Sequence, residues 1–250
     1  MATLDKELFV CIDCETTGLD PKADRIIEVA AMCFNLKEDF DTFESLIDPQ
    51  CPIPPSSIAI HHITEEMVVG KPTIDKALPD LLKIIGRRII VGHGVGFDID
   101  IIATAAEKFG IPCTIRNNLS LDTLRMARLY GDSPTNSLDQ LRQHFNVQFE
   151  GTHRAMGDVL VNRNVFRHLA RRYKTLEQLQ EILSRPILMK TMPLGKHKGR
   201  PLKEIPLEYL QWASRKDFDQ DLLFSLRTEI KRRKHGNLFA QSANPFSELS

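Results

Sequence analysis

The chain has 250 residues, of which 42% are hydrophobic and 26% are charged, and its 33 basic residues equal its 33 acidic residues in number. This composition excludes the collagen, coiled-coil and intrinsically disordered classes. A chain of this length corresponds to one or two domains that fold without a disulfide or metal. No apolar run approaches the ~18 residues of a membrane span and no secretory signal is present at the start, which predicts a cytoplasmic protein without a membrane partner.

The charges are distributed unevenly along the chain. Residues 186–235 contain 12 basic and 6 acidic residues, a net charge of +6, whereas the first 185 residues have a net charge of −5. An acidic body with a basic appendage is typical of a protein that binds divalent cations at one place and contacts phosphates at another. The alternative is that the basic segment is only a solvated face.

The first 47 residues have the pattern of three strands. Residues 8–13 and 25–34 are short apolar runs rich in β-branched residues, and residues 40–47 form a third run that ends before Asp48-Pro49. Residues 17–21 have the composition of a turn. This part of the chain is predicted to form a β-meander.

After residue 73 the pattern changes to an alternation of helices and short strands. Extended segments are predicted at residues 88–91 and 119–121, and helices at residues 74–85, 98–109, 122–130, 137–145 and 155–173. Three consecutive strands followed by this alternation predict an α/β fold, in which helices cover a mixed sheet.

The last third of the chain is predicted to be organised separately. A capping pattern at Thr175 opens a helix, and amphipathic segments follow it. The predicted organisation is a main domain over residues 1–174, a connecting helix over 175–186, a small basic C-terminal domain over 187–235 and a flexible tail over 236–250.

Three groups of polar residues carry the candidate chemistry. Asp13 and Glu15 are two residues apart at the end of the first strand, so both carboxylates lie on one face. Asp98 follows another apolar strand at a helix start. The segment from His153 to Asp158 precedes or starts a late helix, and the two side chains can converge only if His153 lies in the loop ahead of it. Clustered carboxylates favour a divalent cation, and their hard oxygens select Mg²⁺ or Mn²⁺ rather than zinc. The structural alternatives are solvated acids and a helix cap.

Together these groups resemble the DEDD superfamily of 3′→5′ exonucleases, in the branch that has a histidine and includes the proofreading subunit of the bacterial replicative DNA polymerase. Asp13–Pro21 resembles the first motif, Gly92–Asp98 the second and His153–Asp158 the third. The resemblance covers about residues 6–172 and implies a ribonuclease H-like mixed five-stranded sheet flanked by helices. One departure is Gly94, because many members have Asn there.

The resemblance also implies a mechanism. Asp13, Glu15, Asp98 and Asp158 would hold two divalent ions, Mg²⁺ or Mn²⁺, on either side of the scissile phosphate. His153 would be the general base, because an imidazole with a pKa of ~6.5 is largely neutral at physiological pH. The implied reaction removes 5′-mononucleotides from DNA 3′ ends, in proofreading or repair.

The segment after Glu15 is implied to bind the terminal nucleotide. Thr16 and Thr17 would present their backbone to it, and Gly18 would let the chain approach closely without a Cβ. Leu19 would be an apolar wedge between the last base and its neighbour. The alternative for Leu19 is an ordinary core contact.

A further resemblance concerns the C-terminal part of the chain. Residues 195–200 and 208–212 are similar to the small C-terminal domain of the exonuclease X group within this superfamily. The basic side chains Lys196, Lys198 and Arg200 are candidates for contacts with the phosphate backbone. The alternative is a merely solvated turn.

The implied partner is nucleic acid, and DNA 3′ ends in particular. A proofreading role would add the replicative polymerase or the sliding clamp, and residues 235–239 faintly resemble the Leu-Phe-ended peptides that dock on bacterial clamps. Two alternatives remain open at this point. One is an exonuclease that trims RNA 3′ ends and accepts the 2′-hydroxyl. The other is a non-catalytic nucleic-acid-binding module, against which the retention of all four acids and the histidine argues.

Overall fold

The computed structural model describes residues 3–130, 136–148 and 154–242, with side chains described as far as residue 234. The chain divides into two compact units. The first comprises Met1–Met126 and Ser137–Glu181, and the second comprises Ala127–Asn136 and Ile182–Ser250. The division falls within the helix that the sequence predicts as a connector.

The first unit is built on a mixed five-stranded sheet. Its strands are β1 (Phe9–Thr16), β2 (Ile26–Phe34), β3 (Asp39–Leu46), β4 (Ile89–Gly92) and β5 (Ser120–Asp122). Their order is β3-β2-β1-β4-β5, with antiparallel pairing from β3 to β1 and parallel pairing from β1 to β5. This is the α/β, mixed five-stranded architecture that the sequence predicts.

Helices follow and separate these strands along the chain. They are α1 (Pro55–His61), α2 (Glu65–Val68), α3 (Ile74–Ile85), α4 (Gly96–Lys108), α5 (Thr123–Tyr130), α6 (Leu138–His144), α7 (Ala155–Ala170) and α8 (Leu176–Leu183). Every residue of β2 is buried, because helices cover both faces of the sheet. On one face α3 and α4 pack against the strands. On the other, Phe166 of α7 packs on Phe9 and Phe34, with ring centroids 4.9 and 5.8 Å apart.

The second unit has its own apolar core. It contains short 3₁₀ turns at Gly195–His197 and Leu202–Glu204, α9 (Leu207–Ala213) and α10 (Gln220–Ser242). Its buried core residues are Met192, Leu202, Ile205, Leu210, Ala213, Leu222 and Leu226. Arg128, from the end of α5, forms an ion pair with the fully buried Asp221, with 2.9 Å between the nitrogen and oxygen. The carboxylate of Asp221 also accepts a hydrogen bond from the backbone N–H of Ile187.

The structure corrects the predicted start of the tail. The sequence places it at residue 236, but α10 continues to Ser242. A single glycine at position 236 costs a helix only ~1 kcal/mol relative to alanine, and the neighbouring leucine, alanine and glutamine are good helix formers. Within the part of the chain that the structure describes, no helix combines the length and the apolar character that a membrane crossing requires.

Candidate active site

The first two acids lie side by side on β1. The strand continues to Thr16, so Asp13 and Glu15 are among its last four residues. Because successive side chains of a strand alternate between faces, both carboxylates project to the same side. In the pairing with β2, Asp13 is opposite Ala30 and Glu15 is opposite Glu28.

Helix α7 brings a third carboxylate to this face. Asp158 lies in the first turn of α7, where its N–H donates to the carbonyl of Arg154 over 3.0 Å. Ligand oxygens of Asp13, Glu15 and Asp158 lie within 4.8 Å of one another. The resemblance to the DEDD exonucleases implies this convergence, in which Asp158 joins two acids more than 140 positions before it. Hard oxygen donors grouped in this way fit a divalent cation such as Mg²⁺ or Mn²⁺.

Asp98 adjoins this cluster through the backbone of β1. It is buried in the first turn of α4, and its Oδ1 accepts a hydrogen bond of 3.0 Å from the N–H of Cys14, the residue between Asp13 and Glu15. The N-cap position of α4 belongs to Val95, so the helix-cap interpretation of Asp98 is wrong. Its negative charge also raises the pKa of Asp13.

The electrostatics of the four acids indicate a site built for cations. Burial, followed by the charges of Asp98 and Asp158, raises the pKa of Asp13 well above its usual value. Burial and the charge of Asp158 raise the pKa of Glu15 to about 8. Burial raises the pKa of Asp98 to about 7, although the hydrogen bond from Cys14 lowers it. Without a cation the cluster therefore retains protons near neutral pH, and a bound dication would replace them.

A buried ion pair between Glu28 and Arg154, which the sequence pattern did not reveal, lies next to the acidic cluster. The Glu28 side chain is fully buried, and both of its oxygens accept hydrogen bonds from the Arg154 guanidinium over 2.5 to 3.0 Å. It also accepts the N–H of Ala155 over 2.9 Å. Like charges directly opposite each other on a sheet are destabilising, so Glu28 across from Glu15 requires this cation. The sequence feature that could have indicated this pair is Glu28 itself, the one acidic residue in the otherwise apolar segment of β2.

The predicted general base, His153, lies outside the described residues, and its role stays a prediction. The residue that follows it, Arg154, is the one that Glu28 holds. The chain is therefore anchored to β2 immediately after the position of His153.

The segment predicted to bind the terminal nucleotide forms a tightly bonded loop. The hydroxyl of Thr17 donates to Asp24 over 2.9 Å, and the Ser57 hydroxyl of α1 donates to the carbonyl of Thr17 over 2.7 Å. A Cβ on Gly18 would lie 2.5 Å from Oδ2 of Asp24, so a larger residue here would displace the carboxylate that accepts the Thr17 hydroxyl. Leu19 is 87% exposed, which rules out the core interpretation.

Thr16 is the last residue of β1, and its hydroxyl also forms a hydrogen bond within this loop. It donates to the carbonyl of Gly18 over 2.7 Å. The backbone of this segment is therefore fixed by local hydrogen bonds before any ligand binds.

The departure at Gly94 has a conformational explanation. Its φ is +77°, in the left-handed region that glycine adopts without strain and that asparagine tolerates. Its N–H donates to the Asp122 carboxylate over 2.9 Å. Nearby, the Thr123 hydroxyl donates to Asn162 of α7 and lies 3.0 Å from Nδ1 of His93, which connects the second-motif loop to the helix that carries Asp158.

Two other groups of polar residues are not part of the acidic cluster. His61 and His62 lie at the C-terminal end of α1, and His61 is buried with its Nδ1 accepting the N–H of Ile63. Lys196 and Lys198 are exposed in the second unit, where the guanidinium of Arg200 is 3.1 Å from Nδ1 of His197. Their contact with phosphates stays a prediction.

Known structures share this fold. Exonuclease X in complex with 5′ overhanging duplex DNA is 26% identical, with a TM-score of 0.56 over 70% of this chain and 98% of that chain. A zinc-bound exonuclease I from E. coli, in complex with single-stranded DNA, has a TM-score of 0.61 over 72% of this chain and 43% of that chain. At 18% identity, exonuclease I establishes similarity of the fold alone.

Curated relatives are polymerases of much greater length. The PolC-type DNA polymerase III of Caldanaerobacter subterraneus subsp. tengcongensis is 38% identical over 72% of this chain and 12% of its own length. That of Listeria innocua is 37% identical over 62% of this chain and 11% of its own length. This chain therefore spans about an eighth of the relatives that it matches.

Two family models match different parts of the chain. Residues 177–237 match a family described as a putative quorum-sensing-regulated virulence factor. Residues 10–166, which include the four acids and most of the helix that carries Asp158, match the exonuclease family. With the acidic cluster and the mixed sheet in place, the match over more than half of its length identifies this chain as a member of the exonuclease family.

Proposed function

We propose that this protein is a 3′→5′ exonuclease that removes 5′-mononucleotides from the 3′ ends of DNA. The observation that carries the proposal is the convergence of Asp13, Glu15 and Asp158, with Asp98 fixed beside them by the N–H of Cys14. These four carboxylates would hold two divalent ions, Mg²⁺ or Mn²⁺. Two such ions stabilise the attacking and leaving oxygens of an in-line displacement at phosphorus.

His153 is proposed to take the proton of the attacking water. A neutral imidazole can accept this proton, and its neighbour Arg154 is tied to the buried Glu28. A base must be held within hydrogen-bonding reach of the water, and a rigid attachment one residue away limits how far the chain can move. The Glu28–Arg154 pair is therefore proposed to position this residue.

Residues 16–19 are proposed to bind the terminal nucleotide. The loop is fixed by the bonds of Thr17 to Asp24 and Ser57. Leu19 is proposed to insert between the last base and its neighbour, and the exposure of most of its side chain to solvent supports this role. Contacts through backbone and stacking read no sequence, so little base preference is expected.

DNA is the proposed substrate, because the exonuclease X structure contains DNA and the curated relatives are DNA polymerases. A role in proofreading or repair follows from the same relatives. Association with the replicative polymerase or the sliding clamp, and a cytoplasmic location, stay predictions.

A pair of matched variants tests the role of the acidic cluster. Asp98 and Asp100 both lie near the start of α4. Asp98 is buried and accepts the N–H of Cys14, whereas Asp100 is exposed and forms an ion pair with Arg116. Asp98→Asn should abolish Mg²⁺-dependent shortening of an oligonucleotide, and Asp100→Asn should retain the normal rate. Near-normal hydrolysis by Asp98→Asn would refute the proposed site. An oligonucleotide that the wild-type protein binds but never shortens would indicate a binding module.

A further inference from the structure

The second unit contains an open groove between α9 and α10 whose lining is strongly basic. Its volume is about 500 Å³, and its lining includes Arg215, Arg227, Lys231 and Lys234 with two polar side chains and one isoleucine. On α10 the three basic positions are spaced i, i+4 and i+7, so they lie along one face of the helix. Arg215, just after α9, supplies the opposite wall.

The charged side chains that line the groove are all basic. Among the residues that the structure describes as lining the groove, none is acidic. The nearby acid of α10, Glu229, is held instead by Arg232 and Arg233 over 2.7 to 2.8 Å, and these cations lower its pKa to about 2. Four cations in one concave surface create a positive potential that attracts a polyanion.

An exposed aromatic side chain lies beside the groove. Trp212 is 51% exposed and is one helical turn before Arg215. Its indole packs against Tyr209 at a centroid distance of 5.3 Å, and Nζ of Lys216 lies 5.0 Å from the ring. A solvent-exposed tryptophan among basic side chains provides a surface on which an unpaired base can stack.

We propose that the groove between α9 and α10 is a binding site for single-stranded DNA, separate from the acidic cluster and from the basic turn at residues 195–200. Arg215, Arg227, Lys231 and Lys234 contact phosphates, and Trp212 stacks on a base. Because the contacts are to the backbone and to a ring face, binding shows little sequence preference. This proposal rests on the proposed function only in taking DNA, and not another polyanion, as the ligand.

The sequence contains one tryptophan, so its fluorescence reports directly on α9. The full-length protein is titrated with a dodecamer of thymidylate in excess chelator, which prevents hydrolysis. Saturable quenching is expected, with an affinity that falls steeply as salt rises. Arg227→Glu combined with Lys234→Glu should weaken binding by ~10-fold or more and reduce the salt dependence by about two counterions. Lys203→Glu, an exposed lysine of the same unit outside the groove, is the control and should change little.

Trp212→Phe, measured with a fluorescently labelled oligonucleotide, should weaken binding by ~5-fold or more through poorer stacking. Circular dichroism checks that each variant retains its helices. The proposal is overturned if saturating oligonucleotide leaves the tryptophan fluorescence unchanged, or if the double variant binds as tightly as Lys203→Glu. It is also overturned if only Lys196→Glu with Lys198→Glu reduces binding, or if a DNA duplex binds more tightly than the single strand. Failure of the proposed function is distinguishable, because it appears as an absence of hydrolysis with Mg²⁺ while binding in chelator persists.

Discussion

Replacing Arg154 by methionine should destabilise the first unit far more than the same replacement of Arg116. The two arginines are matched in exposure, with 42% and 44% of their side chains accessible. They differ in their acidic partners. Glu28 is fully buried, whereas Asp100 and Glu107, the partners of Arg116, are 55% and 64% exposed. The comparison therefore isolates the burial of the carboxylate.

The expected magnitudes follow from this difference. Removing one partner of a buried pair leaves an uncompensated charge and costs ~3–5 kcal/mol. The remaining hydrogen bond from Ala155 and the partial exposure of Arg154 place Arg154→Met at the lower end, at ~3 kcal/mol. Exposed pairs contribute ~0–1 kcal/mol, so Arg116→Met should cost no more than ~1 kcal/mol.

Urea unfolding in chelator measures both variants without the contribution of a bound metal. With a denaturant slope of ~1–3 kcal/mol per molar, a loss of ~3 kcal/mol lowers the urea midpoint by ~1–3 M. Arg154→Met should also reduce the rate of DNA hydrolysis, since Arg154 anchors the residue that follows His153. Equal midpoints for the two variants would refute the argument that Glu28 is stabilised by Arg154.

The remaining predictions concern the site and its metal. His153→Ala should lower the hydrolysis rate by ~10²–10⁴-fold in single-turnover kinetics while leaving oligonucleotide affinity nearly unchanged; full activity would exclude a general-base role. Leu19→Ala should reduce hydrolysis by ~10-fold through lost apolar contact with the terminal base, yet leave the unfolding free energy unchanged because the side chain is exposed. In chelator, the folded state retains a proton on Glu15 up to its pKa of about 8, so thermal stability should fall as pH rises from the usual carboxylate range towards 8. Mg²⁺ should reverse that fall, and a melting temperature independent of both pH and Mg²⁺ would contradict it.

Local patterns in the sequence account for the strands and for the first acids. The apolar run before Asp13 and the two-residue spacing to Glu15 were enough to predict a strand with both carboxylates on one face. The runs that became β2 and β3 were predicted to within two residues of their observed ends. Periodicity is a property of neighbouring residues, and these features depend on little else.

The resemblance implies that Asp158 joins Asp13 and Glu15, but specific contacts between other distant residues were not predicted. The hydrogen bond from Cys14 to Asp98 spans 84 positions, and nothing local to either residue indicates it. Glu28 was visible as a lone acid in an apolar strand, but its partner Arg154 lies 126 positions away. The groove of the second unit likewise requires the packing of α9 against α10, which brings Arg215 opposite the basic face of α10.

The most direct test of the account is a time course on a single-stranded DNA oligonucleotide labelled at its 5′ end, with Mg²⁺ and again with excess chelator. We expect a descending ladder of products that shorten one nucleotide at a time from the 3′ end, that chelator abolishes and that Asp98→Asn does not form. An oligonucleotide that stays intact with Mg²⁺, or a ladder unaffected by chelator or by Asp98→Asn, would contradict it.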